Sequence, residues 1–305
     1  QVYLKTAKDR GANKVYGMLH GIQGLLQERY VDLEDHIKND LDIELLKRTP
    51  SAYLGSCRFK LPDISQDREI YDKIFDILNK LEIEYFFYIG GNDSMDTIKK
   101  LSDYSLLNGS NIRFMGVPKT IDNDLAATDH TPGYGSAAKY IGSITKEVIR
   151  DGLVYDQQNV TILEIMGRNA GWLTGAAALA KCEDCEGPDM IFLPEVTFDV
   201  DEFMKKVAEL HKKKKSVVVA VSEGVKTADG RYVCELTDGI DFVDAFGHKQ
   251  LTGTARFLAE KINREVGCKT RAIEFNSLQR CASHIVSRVD ITEAYQVGGA
   301  AVKKR

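Results

Sequence analysis

The stretch Tyr85-Phe86-Phe87-Tyr88-Ile89-Gly90-Gly91-Asn92-Asp93-Ser94-Met95 decides the fold. Its first five residues are aromatic or β-branched, the composition of a short buried strand. Two glycines follow, and Met95 to Leu101 then carry apolar residues at helical spacing. The unit is strand, glycine turn, helix, and it recurs. Val160 to Ile165 leads into Met166-Gly167-Arg168-Asn169-Ala170-Gly171-Trp172, and Val217 to Val221 leads into Ser222-Glu223-Gly224. Helices alternate with these strands: Ile70, Ile74, Ile77, Leu78 and Leu81 share one helical face, as do Ala137, Tyr140, Ile141, Ile144 and Val148, and Ala255, Leu258, Ile262 and Val266. This alternation predicts an α/β fold of two Rossmann-like three-layer domains with largely parallel sheets. In such sheets ligands bind outside the carboxyl ends of the strands.

One strand exit concentrates chemistry. Ile112, Phe114, Met115 and Val117 read as a strand that Pro118 ends by removing a ladder donor. Behind it come Lys119-Thr120-Ile121-Asp122-Asn123-Asp124, an ammonium, a hydroxyl, an amide and two carboxylates. A hard cation such as Mg²⁺ takes carboxylate oxygens together with substrate phosphates, and phosphoryl transfer needs a carboxylate to receive the acceptor's proton. Residues 122–133 hold few large apolar side chains and read as a crossing between two sheets, with a cleft between them. The boundaries expected are 1–133 plus 277–305 for one domain and 134–276 for the other.

The Gly90-Gly91 turn is either a tight turn or a phosphate site, since paired glycines let backbone amides and a helix start approach an anion. Gly133-x-Gly135-x-x-Ala138 matches the dinucleotide fingerprint as a string, but no strand precedes it, so it reads as a helix start and not as an NAD site. Arg168, Arg271 and Arg280 each follow or end an apolar segment and together suggest an anion clamp.

With 305 residues, 43% of them hydrophobic, the chain can bury a large core. A net charge of -4 gives no general attraction to nucleic acid or an anionic membrane, and the apolar runs are strand-length, so neither partner is expected. Six cysteines form no framework spacing, which predicts reduced thiols and a cytoplasmic location. Cys182-x-x-Cys185 lacks the further ligands of a structural zinc site. Lys212 to Lys215 reads as the solvated end of a helix. The chain starts at Gln1 inside an apparent helix, Leu4 to Arg10, and stops inside another, Ile291 to Val302, so both ends are expected to be cut.

Leu54-Gly55-Ser56-Cys57-Arg58-Phe59, Gly90 to Ser94, Pro118 to Asp124, Met166-Gly167-Arg168, Ser222-Glu223-Gly224, Thr270-Arg271 and Gln279-Arg280, in this order, resemble the phosphofructokinase family over nearly the whole chain. The resemblance implies transfer of a phosphoryl group to the 1-hydroxyl of fructose 6-phosphate. Asp122 would be the general base and Asp124 would hold Mg²⁺, while Thr120 and Arg58 would bind the transferring group. Met166, Gly167, Arg168, Glu223, Arg271 and Arg280 would contact the sugar phosphate. Ser277 replaces a histidine or tyrosine of that pocket, Asn92 a metal-binding aspartate, and Asn159 an arginine that reaches a neighbouring subunit's substrate. Relatives that use ATP are similar to one another in carrying glycine at the position of Asp93. A carboxylate there, with Lys119 beside the donor, resembles the pyrophosphate-dependent branch, whose reaction is reversible and serves glycolysis and gluconeogenesis. A homodimer or homotetramer is implied. The other readings are an ATP-dependent enzyme of the same family and a noncatalytic regulatory subunit of the same fold; the latter would be expected to have lost Asp122, Asp124 or Arg168.

Overall fold

The computed structural model describes residues 2–236 and 251–304. They divide into two compact units, 2–120 with 288–304, and 121–236 with 251–287. Both junctions lie about a dozen residues from the boundaries the sequence suggests. The reason is packing: Ile121, Ala282 and Ile285 all insert into a core of the second unit.

The first unit begins with α1 (Val2–Asp9), then a small antiparallel pair, β1 (Tyr16–Met18) and β2 (Tyr30–Asp32), around α2 (Gly21–Leu26). Short helices α3 (Leu33–His36) and α4 (Asp40–Arg48) follow, and Asn39 starts α4 with a reciprocal capping box to Asp42. Next come α5 (Arg68–Lys80), β3 (Tyr85–Gly90), α6 (Asn92–Leu107) and β4 (Arg113–Pro118). Asp67 caps α5 by accepting from the Ile70 N–H, and one face of the helix buries Tyr71, Ile74, Phe75 and Leu78. These pack with Leu101 and Tyr104 of α6 and with Phe86 of β3. Strands β3 and β4 are parallel, in register from Tyr85 opposite Arg113 to Gly90 opposite Pro118. Pro118 is thus the last residue of β4 rather than the first beyond it. A missing donor is harmless at a strand's last position, because the following N–H, of Lys119, bonds the Gly90 carbonyl at 2.9 Å.

The second unit runs α7 (Tyr134–Gly152), β5 (Asn159–Ile165), α8 (Trp172–Gly175), β6 (Met190–Phe192), α9 (Val200–Lys213), β7 (Ser216–Ser222), α10 (Thr254–Val266), β8 (Lys269–Glu274) and α11 (Leu278–Cys281). Helix α12 (Arg288–Lys303) returns to the first unit and packs on α1. The four strands are parallel in the order β6-β7-β5-β8. Every residue of β5 and β7 is buried, as expected of strands covered on both faces. Alternation sorts their side chains. Val160, Ile162, Val217 and Val219 meet Phe203 and Val207 of α9 and Leu258 and Ile262 of α10. Leu163, Ile165, Val218 and Ala220 meet Ala137 and Ile141 of α7 and Leu173 of α8. This is the three-layer α/β arrangement that the sequence predicts.

Gly133 precedes α7 with φ 106°, a left-handed cap, and no strand leads into it. The dinucleotide reading is therefore excluded by context. The basic run Lys212 to Lys215 starts in the last turn of α9; Lys212, Lys213 and Lys215 are exposed, as expected, and Lys214 is half-buried. Lys214 binds Asp189 and Glu186, each at 2.7 Å, and the Asp189 side chain is 9% exposed. Among the described residues no helix is long and apolar enough to cross a membrane.

Candidate active site

In the first unit the chain leaves β3 through two glycines of different kinds. A Cβ on Gly90 would stand 2.0 Å from Ser94 Oγ, so packing requires glycine there. Gly91 has an ordinary φ of -83°, and its Cβ would meet nothing nearer than the Lys119 carbonyl at 4.0 Å. Neither conformation nor crowding demands glycine at 91. What its bareness provides is close approach to the backbone N–H groups that begin α6, a 16-residue helix whose positive end favours an anion. Asn92 and Asp93 are its first two residues; Asn92 is exposed and Asp93 is half-buried. Asp93 therefore places a fixed negative charge where a phosphate would otherwise have the helix end to itself. Lys119, exposed, and Thr120 leave β4 next to this turn, the strands being paired up to Gly90 and Pro118. Arg58 is exposed on an irregular segment of the same unit.

Residues 121–131 belong to the second unit. Asn123 adopts φ 57° and is 8% exposed; its Oδ1 accepts from the Thr131 N–H at 2.9 Å. The amide that the sequence presents as part of the chemical cluster is thus turned inward, closing the loop. That inward turn leaves Asp122, half-buried, and Asp124, exposed, on either side of it.

The loops after β5 and β7 interlock. Gly167 has φ 135°, and a Cβ there would lie 2.4 Å from the Ala170 carbonyl oxygen. A Cβ on Gly224 would lie 2.0 Å from the Arg168 carbonyl oxygen. Ser222 Oγ donates to the Gly167 carbonyl at 2.6 Å and accepts from the Gly224 N–H at 3.0 Å. The Gly167 N–H donates to Glu223 Oε1 at 3.4 Å, and the Glu223 N–H to the Ile165 carbonyl at 2.9 Å. Burial pushes the Glu223 carboxyl up to about 7; the charge of Asp122 raises it further and Arg168 lowers it. Asp122, Arg168 and Glu223 are therefore electrostatic neighbours, with Met166 and Gly167 on the same loop as Arg168.

Ser277 and Arg280 lie at the same edge of the sheet, just past the carboxyl end of β8. Both are exposed, Ser277 as the N-terminal flank of α11 and Arg280 within it. Arg271 does not join them. It is the third residue of the edge strand β8, opposite Thr161, and pairs with Asp151 of α7 at 3.0 Å. At about 3.3 Å per residue, Thr161 lies roughly 16 Å from Met166, so Arg271 faces the other half of the sheet. It lines a cavity of about 50 Å³ with Asn159, Lys269 and Tyr155. Of the three arginines read as a clamp, two stand beyond strand ends. The third lies within a strand, because motif order along a chain does not state how far along a strand a residue falls.

Two titrating groups escape the sequence reading. Glu164, 3% exposed in β5, accepts from the Ala255 N–H at 2.7 Å, and burial pushes its carboxyl up to about 7, aided by Glu274 and Glu223. The signal was the single charged side chain in the strand-forming run Val160 to Ile165. Tyr88 of β3 lies near Ser94, the neighbour of Asp93, and Cys57, the neighbour of Arg58; burial pushes its hydroxyl up to about 12.

Among the described residues no three His, Cys, Asp or Glu side chains converge into a metal cage. Mg²⁺ does not need one, since it keeps waters and binds through one or two carboxylates plus substrate phosphates. Asp124 presents an exposed carboxylate and Asn92 an exposed neutral amide.

Open parallel sheets whose carboxyl edges gather an anion-ready helix start, acidic groups and glycine-held loops define an α/β enzyme for phosphorylated ligands. The phosphofructokinase family model matches residues 1–304, and the chain belongs to that family. The pyrophosphate--fructose 6-phosphate 1-phosphotransferase of Halomonas elongata is 40% identical over 297 residues, which cover 97% of this chain and 70% of that protein. The same-named protein of Xanthomonas campestris is 40% identical over 292 residues, covering 95% and 69%. The crystal structure of a pyrophosphate-dependent phosphofructokinase from Marinobacter aquaeolei matches with TM-score 0.82 at 35% identity, over 99% of this chain and 70% of its own.

Proposed function

We propose that this chain is a phosphotransferase that moves a phosphoryl group reversibly from pyrophosphate to the 1-hydroxyl of fructose 6-phosphate, giving fructose 1,6-bisphosphate and phosphate. Asp93 in the first turn of α6 carries the donor assignment. Two unit charges about 4 Å apart at an effective dielectric near 20 repel by roughly 4 kcal/mol. Spent against a nucleotide's additional phosphate, this is up to about a thousandfold in preference. The relatives at 40% identity, named for the pyrophosphate reaction, support the same choice.

In this reading Gly90, Gly91 and the N–H groups of α6 hold the donor, and Lys119 neutralises its terminal charge. Thr120 and Arg58 bind the transferring group. Asp122 takes the proton of the 1-hydroxyl as the bond forms. Met166, Gly167, Arg168, Glu223, Ser277 and Arg280 hold the sugar phosphate, so positioning and electrostatics provide most of the acceleration. Asp124 would hold a divalent cation, Mg²⁺ in this proposal, with Asn92 as the second contact; when bound it supplies charge neutralisation at the phosphates. The enzyme is proposed to be cytoplasmic and a homodimer or homotetramer. Arg271, remote from the loops of its own unit, would then contact the sugar phosphate of a second copy.

A coupled assay tests this with fructose 6-phosphate and either pyrophosphate or ATP. Turnover with pyrophosphate, and the reverse reaction with phosphate, are expected. Faster turnover with ATP overturns the donor assignment.

A further inference from the structure

The Cys182-x-x-Cys185 pair takes no part in the proposed reaction, yet the fold arranges it closely. The two residues form an antiparallel bridge across a two-residue turn. The Cys182 N–H donates to the Cys185 carbonyl at 2.9 Å, and the Cys185 N–H to the Cys182 carbonyl at 3.2 Å. Residues that exchange both bonds lie about 5.5 Å apart at Cα, with side chains on one face, which is within the range a disulfide spans. Cys182 is exposed, Cys185 is buried, and both are free thiols.

Helix α7 grips this turn. Lys146 and Arg150, one turn apart, both pair with Asp184 at the tip, Lys146 at 2.8 Å. Lys146 Nζ also lies 3.2 Å from Cys182 Sγ, whose thiol donates to Asp184 Oδ1 at 3.0 Å. Lys146 thus bridges the Cys182 sulfur and the Asp184 carboxylate. An exposed thiol beside an ammonium, with a second thiol across a hydrogen-bonded turn, has the placement of an attacking and a resolving cysteine.

We propose that Cys182 and Cys185 are a redox-active dithiol that closes to an intramolecular disulfide by exchange with a low-molecular-weight disulfide such as oxidised glutathione. The Cys182 thiolate attacks one sulfur of that disulfide, forms a mixed disulfide and expels one thiolate, which takes up a proton. Cys185 then gives up its proton and attacks Cys182 Sγ, expelling the second thiolate. In sum, two protein thiols are oxidised to one disulfide and the small disulfide is reduced to two thiols. A four-residue ring on an exposed turn belongs to the readily reduced kind, suited to reversible closure.

The test equilibrates the full chain in glutathione buffers of increasing oxidation, quenches it by alkylation, and weighs the peptide containing residues 182–185. Loss of two hydrogens in that peptide, reversed by excess reduced glutathione, is expected, with Cys234 and Cys268 still alkylated after unfolding. Cys185→Ser should instead accumulate glutathione on Cys182, and Lys146→Met should slow closure severalfold. Reduced Cys182→Ser should keep full pyrophosphate-dependent turnover. Two outcomes overturn the proposal: native chain carrying glutathione on Cys182 with Cys185 still free, or both thiols remaining alkylatable when oxidised glutathione predominates. Neither outcome depends on the assigned reaction.

Discussion

Single side chains carry the sharpest claims. Asp93→Gly removes a half-buried charge from the first turn of α6 and puts nothing in its place. ATP-dependent turnover relative to pyrophosphate is expected to rise by about 10²- to 10³-fold, read in the same coupled assay. Asp122→Asn keeps the size of the proposed base and removes its ability to take a proton, so kcat should fall by about 10²- to 10⁴-fold with little change in KM for fructose 6-phosphate. Glu164 makes a prediction about stability. Its carboxyl is raised from 4.5 to about 7 on folding, so between these values the folded chain holds a proton that the unfolded chain has released. The contribution is therefore fully present below about pH 4.5 and is lost as pH rises through about 7, and a difference of this size is worth about 3 kcal/mol. Glu164→Gln keeps an oxygen for the Ala255 N–H but cannot ionise. Urea midpoints compared at pH 5.5 and 7.5 should show a smaller decline in the variant than in the natural chain; an equal decline would assign the titration to other groups.

The glycines at strand exits separate geometry from freedom at the level of the element. Gly167→Ala must place a Cβ 2.4 Å from a backbone carbonyl at φ 135°, so it should destabilise the second unit by about 2–3 kcal/mol and weaken fructose 6-phosphate binding. Gly175, at the end of α8, has φ -60° and nothing within 4 Å of its Cβ, so Gly175→Ala should be neutral or stabilise by about 0.5–1 kcal/mol. Thermal or urea unfolding of the two variants checks the contrast. The elements themselves were largely legible. Val160 to Ile165 and Val217 to Val221 are runs that only a twice-covered strand accommodates, and the apolar spacing from Ile70 to Leu81 fits only a helix. What stayed hidden depends on direction. Nothing in the string Asp122-Asn123-Asp124 says that the middle amide turns inward to Thr131 while the acids do not. Nothing in Thr270-Arg271 says that the arginine sits mid-strand, where Asp151 meets it. Glu164 was visible as an oddity, the single charged side chain in its strand, but its partner Ala255 is 91 residues away.

Each of the two units of the whole molecule has its own core, one built around Tyr71, Phe75 and Leu101, the other on the two faces of the β6-β7-β5-β8 sheet. The proposed donor groups Arg58, Asn92, Asp93, Lys119 and Thr120 all fall in the first unit. The proposed sugar contacts Met166, Arg168, Glu223, Ser277 and Arg280 all fall in the second. A ligand stabilises the folded form of what it binds, and hydrogen exchange resolves that stabilisation segment by segment. Pyrophosphate alone should therefore slow exchange in residues 88–97 and 113–120 and leave the loops after β5, β7 and β8 unchanged. Fructose 6-phosphate alone should slow exchange in residues 165–171, 221–226 and 275–281 and spare the β3-α6 turn. If fructose 6-phosphate protected the glycine turn before α6 instead, the division of labour would be reversed, and Asp93 would be repelling the sugar phosphate rather than a nucleotide. Arg271 adds a second test of the same experiment. Protection spreading along β8 to Lys269 and Arg271 with fructose 6-phosphate only above a threshold protein concentration would mean that the substrate of one copy is held partly by another.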